Sequence, residues 1–479
     1  MKKALSIAFI TLFFAMCAVP LIGRIFGYVN VNSEKRALAE APAVFNEGGF
    51  NEGFTREFDD YFTDNFAFRP NLVTMYAYMN EGLLKESISD QVIIGKDGWL
   101  FFEPTLDDYL KVNTLSENDI YRLTKTLDLQ RRWLEGRGVA FLFTAAPNKA
   151  SLYGQYMPDR LKPIGSMSNV EMLYQQLQNT PVNYIDLHSE LRGREEQLYH
   201  KLDTHWNGTG ALIAYNVILG SVKELIPEFE FDSHKGALPV VERTWEGDLS
   251  AMLYPAAGML DEQADYAIEK EFTTKRPMKS LEDITIQTKS EYGKLRLLMF
   301  RDSFANALIP ILSNEFASVT YSRAVPYDYR LMDEGADVVI MEIAERNIPN
   351  MLKKAPLMQA LEAELTDEPV PADIEITLDI KDTKDYVKLT GIALPPGYSA
   401  GENYDYYVRL SMGGQYYTFE PFPILEEGYF EEYADKSNAA FSMILYKGTL
   451  PPGEYSVQVI VSHSGRYLID EAGYVSLNL

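Results

Sequence analysis

Between residues 91 and 355, short apolar runs alternate with amphipathic stretches, and no other feature narrows the fold as far. Gln91–Ile94, Val139–Thr144, Val182–Leu187, Leu295–Phe300 and Val338–Ile343 read as strands. Ile120–Leu134 and Thr209–Ile226 carry apolar residues at helical spacing. Strands that are apolar on both faces need cover on both, and helices between them supply it. The expected fold class is α/β, a layered domain around a mainly parallel sheet.

The character changes at Leu365-Thr366-Asp367-Glu368-Pro369-Val370-Pro371, an acidic linker with two prolines. Beyond it come short strands such as Ile374–Leu378, Tyr386–Leu389, Tyr406–Leu410 and Tyr455–Val461. Pro395-Pro396-Gly397, Gly413-Gly414 and Pro451-Pro452-Gly453 separate them, which is the pattern of a β-sandwich. Its tyrosines offer either sugar-stacking faces or cross-strand packing pairs.

At the other end, Lys2 and Lys3 precede Ala4–Gly23, which is uncharged and largely apolar. At ~1.5 Å per residue that stretch can cross a ~30 Å hydrocarbon core. Basic residues on its short side favour a cytoplasmic N-terminus. The segment is therefore read as an uncleaved single-pass membrane anchor, with the body outside the cytoplasm. A cleaved signal peptide is the other reading. No Ala-x-Ala site follows, however, and Phe14-Ala15-Met16-Cys17 lacks the small residue a lipoprotein site needs. The expected units are residues 1–29 as anchor, 30–364 as the α/β domain and 365–479 as the sandwich, with an aromatic-rich helical approach over 30–90.

Of the 479 residues 46% are hydrophobic, enough for more than one core. Cys17, the one cysteine, lies in the apolar segment, so the body has no internal disulfide. A formal charge of −25, with no Gly-x-Gly-x-x-Gly and no Walker sequence, argues against nucleic-acid and nucleotide partners.

Two short stretches carry the chemistry. Leu202-Asp203-Thr204-His205-Trp206-Asn207 supplies an acid and an imidazole two positions apart. Phe300-Arg301-Asp302-Ser303-Phe304 supplies a serine after an apolar run. A serine nucleophile needs a base to take its proton and a carboxylate to orient that base. Of the five histidines, His188 in Ile185-Asp186-Leu187-His188-Ser189 is the rival base. His200 stands beside Asp203 and His205, but the set lacks a helical i, i+4 pair or a cysteine, so neither a metal nor another cofactor is expected.

Structural alternatives stand beside these roles. His205 can cap the following helix or fill a core. Ser303 is expected at the N-terminus of a helix over Ala305–Phe316, where amides and dipole favour an oxyanion. Asp302 or Ser303 serving only as an N-cap is the plainer account. Residues 232–293 are less regular and are expected to form an insertion over the site, with Trp245-Glu246-Gly247-Asp248-Leu249 as their most ordered part.

Asp-x-His-Trp followed by Asp-Ser-Phe resembles SGNH-hydrolase-like proteins of the alginate O-acetyltransferase type and the bacterial DHHW family. The order Asp, His, Ser is similar to the permuted arrangement of that branch. Ser33–Ala39, Tyr61–Arg69, Ile94–Phe101 and Ala146-Pro147-Asn148-Lys149 fit the same resemblance, which runs from about residue 33 to 355. It implies an SGNH-like domain with Ser303 as nucleophile, His205 as base and Asp203 as orienting acid. Arg301 stands where the family has glycine, and no Gly-x-Asn-Asp block is recognisable. Arg346 and Asn347 are the candidate oxyanion or substrate donors, against a solvated helix start. Asn148 and Lys149, after a strand end, are further substrate-site candidates.

The implied function is an extracytoplasmic serine O-acyltransferase that acetylates an exopolysaccharide or cell-wall glycan. A membrane-bound O-acyltransferase would supply the acetyl group. A carbohydrate esterase of the same fold is the alternative, as is a non-catalytic, membrane-anchored glycan-binding or scaffold protein.

Overall fold

The computed structural model describes residues 2–28, 38–46, 49–332, 335–425 and 438–477, so part of the Ser33–Ala39 motif lies outside it. The main sheet has seven strands. Their spatial order is Tyr184–Ile185, Ala140–Ala146, Val338–Ala344, Arg296–Phe300, Ser318–Ser322, Thr285–Ser290 and Phe272–Thr274. The first five are parallel neighbours, and the last two join antiparallel.

Successive strand residues face opposite ways. Phe141, Phe143, Leu298, Phe300, Val339 and Met341 enter one core, while Leu142, Leu297, Met299 and Ile340 enter the other. Helix Glu117–Glu135 covers the first, opened by a Ser116–Asp119 capping box. Helix Gly208–Leu225 covers the second, with the Asn207 side chain accepting from the Gly210 N–H.

Two sequence expectations change. Gln91–Ile94 yields the strand Val92–Ile94, which pairs only with Leu100–Phe102, outside the main sheet. The irregular stretch 232–293 is not all insertion. Thr285–Ser290 buries Ile286 and Thr288 in alternation and joins the sheet between Ser318–Ser322 and the edge strand Phe272–Thr274, a pattern hidden by polar neighbours. Only the hairpin of Val240–Glu246 with Leu260–Asp265, and the helix Asp248–Leu253 between them, lies over the loop at Asp203.

The C-terminal region has a six-stranded and a four-stranded sheet. Pairing begins ahead of the acidic stretch, where Leu361–Glu362 meets Gln415–Glu420. Tyr406 and Tyr455 are buried, and Tyr407 packs edge-on against Tyr467 at 6.0 Å. Val408, Phe419 and Phe441 share one hydrophobic cluster with Leu123 and Leu127 of the Glu117–Glu135 helix. On the same seam Tyr121 donates to Asp405 at 2.8 Å and Lys125 pairs with Glu420 at 2.9 Å.

Lys2–Ile25 is helical, although several of its side chains, Cys17 among them, lie outside the description. No helix among the described residues is long and apolar enough to cross a membrane. The expected anchor is therefore not shown. Helices Phe54–Asn65 and Arg69–Leu84 leave Phe58, Phe62, Tyr76, Met79 and Leu83 exposed.

Candidate active site

Open α/β sheets present ligands at the carboxyl ends of their strands. Ser303 follows Arg296–Phe300 there, and the Asp203–His205 loop precedes helix Gly208–Leu225. The two meet. His205 Nδ1 lies 2.7 Å from Asp203 Oδ1, and His205 Nε2 lies 2.8 Å from Ser303 Oγ. The carboxylate fixes the tautomer: Nδ1–H donates to Asp203, and Nε2 accepts from the serine hydroxyl.

Asp203 is buried and held at every lone pair that faces the protein. Oδ1 also accepts the His205 N–H at 2.9 Å. Oδ2 accepts Trp245 Nε1–H and the Asp248 N–H, both at 3.0 Å. Gly247 makes this approach possible, because a Cβ there would meet the Leu202 carbonyl oxygen at 2.1 Å. Burial alone would raise the Asp203 pKa, but the His205 bonds and charge and the Asp248 amide hold it well below the usual carboxylate range. Burial pushes the imidazolium of His205 the other way, yet Asp203 and then Asp248 raise its pKa above the ordinary 6.5. Asp248 Oδ2 lies 3.9 Å from His205 Nδ1, and its own pKa is raised by burial and by the Asp203 charge.

The turn at the serine differs from the expected helix start. Phe304–Ala307 is a 3₁₀ turn, and an α-helix begins only at Ile309–Glu315, with Pro310 in its first turn. A long helix dipole is therefore not aimed at Ser303. The capping question also resolves. Asp302 Oδ1 accepts the Phe304 N–H at 2.9 Å, whereas the Ser303 side chain makes no cap. Arg301, in the glycine position, is buried beneath the turn. It donates to Asn306 Oδ1 at 2.5 Å and to the Leu281 and Asp283 carbonyls at 2.7 and 3.1 Å.

Of the remaining candidates, Arg346 lies at the site. Its guanidinium sits 5.5 Å from the Phe304 ring and 5.6 Å from that of Phe102, and its buried Nη1 has no hydrogen-bond partner. Asn347 is engaged elsewhere, donating to Asp302 Oδ2 at 3.2 Å. Asn148 and Lys149 are buried and face protein, not an open site. Asn148 Nδ2 donates to Asp108 at 3.0 Å, and its N–H to Glu345 at 2.8 Å. Lys149 Nζ donates to the carbonyls of His200, Lys201 and Asp203 at 3.0, 3.1 and 2.6 Å, holding the loop from below.

His188, the rival base, is bound to Glu345 at 2.9 Å and not to the serine. His200 stacks on Trp245 at 4.8 Å, with Nδ1 at 3.0 Å from the Glu262 carbonyl. Among the described residues, the donor atoms that do cluster within 4.8 Å are those of Asp203, His205 and Asp248. Sequence reasoning gave Trp245 and Asp248 no role. The signal was the order of Trp-x-Gly-Asp in an irregular stretch.

An acid, an imidazole and a serine hydroxyl in one hydrogen-bonded line, at the carboxyl edge of a mainly parallel sheet, are the parts of a serine acyl-transfer site. Residues 92–288 match the family model of the SGNH hydrolase-like domain of acetyltransferase AlgX. That span takes in Asp203 and His205 and ends before Ser303. The chain is 26% identical over 222 residues to a Pseudomonas aeruginosa protein named probable alginate O-acetylase AlgJ, covering 44% of this chain and 53% of the relative. It spans about half the length of the curated relatives it matches, 53% and 51%. Among solved structures, Bacillus cereus PatB1 with a sulfonyl adduct aligns at TM-score 0.43 and 17% identity, over 54% of this chain and 97% of that one. A DHHW family protein from Eubacterium siraeum aligns at TM-score 0.40 and 14% identity, over 56% and 99%. The resemblance to SGNH-hydrolase-like proteins of the alginate O-acetyltransferase type thus holds for residues 92–288.

Proposed function

We propose that this protein is a serine O-acetyltransferase that moves an acetyl group onto a hydroxyl of a glycan outside the cytoplasm. One observation carries the reading: the unbroken line Asp203–His205–Ser303, at 2.7 and 2.8 Å. His205 Nε2 takes the Ser303 hydroxyl proton as Oγ bonds to the acetyl carbonyl carbon, and the donor's leaving group departs with that proton. The sugar hydroxyl then gives its proton to His205 while its oxygen attacks the acetyl-serine, and Ser303 leaves reprotonated. Arg346 Nη1, buried and without a partner, is the donor available to the tetrahedral oxyanion.

The names of the curated relatives support acetyl transfer to a polysaccharide. An N-terminal anchor and a membrane-bound acyltransferase donor belong to the same proposal. Its support is the apolar stretch Ala4–Gly23. Arg24 and Tyr28, at the end of that helix, contact Tyr61 and Phe68, and exposed aromatic side chains lie on the two helices beyond.

The test is intact-mass analysis of the full chain with p-nitrophenyl acetate, with and without acceptor oligosaccharides. An acetyl group on Ser303 that discharges onto sugar is expected. Discharge to water alone, with every acceptor tried, favours an esterase. No adduct in folded protein refutes the serine chemistry.

A further inference from the structure

The ladder between the two central strands stops short of the site. Arg296–Phe300 and Val338–Ala344 pair in parallel as far as Phe300 opposite Met341. Ser303 and Arg346 both lie beyond that last pair, where no ladder bond joins the two chain ends. On its other side the serine turn is tied down, since the Arg301 N–H donates to the Ser322 carbonyl at 2.9 Å.

A side chain closes the gap. Asp302 Oδ1 accepts the Phe304 N–H at 2.9 Å, within the turn. Oδ2 reaches across and accepts the Ala344 N–H and an Asn347 Nδ2–H, the latter at 3.2 Å. Those two donors stand on either side of Arg346 in the chain, so one oxygen brackets that residue. The Asp302 N–H points to the same strand end, 3.3 Å from Glu342 Oε2. One carboxylate thus shapes the turn with one oxygen and ties it to the Arg346 segment with the other.

Arg346 needs such a hold. Its guanidinium stands 5.5 Å from the Phe304 ring, and its charge acts on His205. Its Nη1 is buried with no hydrogen-bond partner, and so is Glu342 Oε1. Arg346 acts electrostatically on Glu342, yet these two atoms are not bonded to each other. A guanidinium left loose beside an unpaired carboxyl oxygen turns to it, because buried polar groups seek partners. A donor so turned no longer faces the oxyanion, and a misplacement of about 1 Å can cost ~10²-fold in rate.

We infer that Asp302 is a positioning residue for acyl transfer. Its carboxylate latches the serine turn to the strand end that carries Arg346, and so sets where the guanidinium stands relative to Ser303 Oγ. Asn347 is the second half of the latch. The inference rests on the reading of Arg346 as the oxyanion donor.

The test is a double-mutant cycle on the full chain, read as the burst rate of Ser303 acetylation by p-nitrophenyl acetate. Arg346→Ala should lose about 10²–10³-fold, the size of one oxyanion donor. Asp302→Asn keeps one acceptor oxygen where turn and latch need two, and should lose about 10- to 100-fold. In the Arg346→Ala background the same change should cost less than about twofold, because nothing is left to position. Asn347→Ala spares the bond from Phe304 to Asp302 and should repeat the pattern more weakly. It carries the cycle alone if Asp302→Asn does not fold with a native melting temperature. Losses that multiply, or no loss in the single variants, overturn the inference and leave the reading of Arg346 intact. Arg346→Ala without effect overturns that reading and the inference with it, as does a wild-type chain that never acetylates Ser303.

Discussion

Lys149 offers a quantitative test of how the catalytic loop is held. Lys149 is 4% exposed, so burial pushes its pKa from 10.5 down to about 8, against the pull of Asp203, Asp248 and Asp261. In the unfolded chain the lysine binds its proton more tightly. Between pH 8 and 10.5 the unfolded state thus carries the extra proton, and stability rises with pH. The contribution is complete above pH 10.5 and is lost as pH falls through about 8. The shift from 10.5 to about 8, at ~1.36 kcal/mol per unit, sets the rise at about 3 kcal/mol.

Lys149→Met removes this titration, and it also leaves three carbonyls without their donor. Urea unfolding of both proteins from pH 7.5 to 10.5 (about one point per half unit) isolates the term as the difference between the two curves. That difference should grow by about 3 kcal/mol in favour of wild type. A flat difference would refute the reasoning, since it would mean that Lys149 titrates alike in both states. Acetyl-enzyme formation in Lys149→Met should also fall, because the carbonyls of His200 and Asp203 lose their tether.

Ser303→Ala and His205→Ala should each abolish acetylation by p-nitrophenyl acetate. Asp203→Asn should slow it by roughly 10³–10⁴, measured as the burst rate, because the tautomer of His205 is no longer enforced. Acetyl-enzyme formation should decline as pH falls through a His205 pKa above 6.5, since the imidazolium cannot accept the serine proton. Trp245→Phe removes one of the two donors to Asp203 Oδ2. It should cost about 1.5–3 kcal/mol of stability in urea, and the less satisfied carboxylate should move the acid limb of that profile upward. Arg301→Gly, which restores the residue usual in the family, should destabilise the protein by about 2–4 kcal/mol in the same assay, because a buried guanidinium with four acceptors is lost.

What could be read in advance was what is local along the chain. Apolar runs and helical spacing announce the α/β alternation, because each strand or helix shows its own period. Asp203 and His205 are two residues apart, so their pairing needs only one loop. Ser303 ends a buried strand and lies on the rim wherever that strand goes. The rest depends on which distant segments meet. Trp245 and Asp248 hold Asp203 only because Gly247 lets the hairpin press on Leu202. Asn148 and Lys149 read as substrate-site candidates in the sequence, yet they are buried under the loop, which Lys149 supports.

His188 has as good a local context as His205. The tertiary structure turns it toward Glu345, 157 residues away, and leaves the serine to His205. Arg301 departs from a motif and reads as a defect until its four acceptors are seen around it. By itself, the sequence determined the layers and the chemical types at the site, since both are written in short-range pattern. Only the folded chain decided which polar groups gather at the serine and which support them from behind. Burial and hydrogen-bond satisfaction belong to contacts that close across a hundred residues or more, and no local period records them.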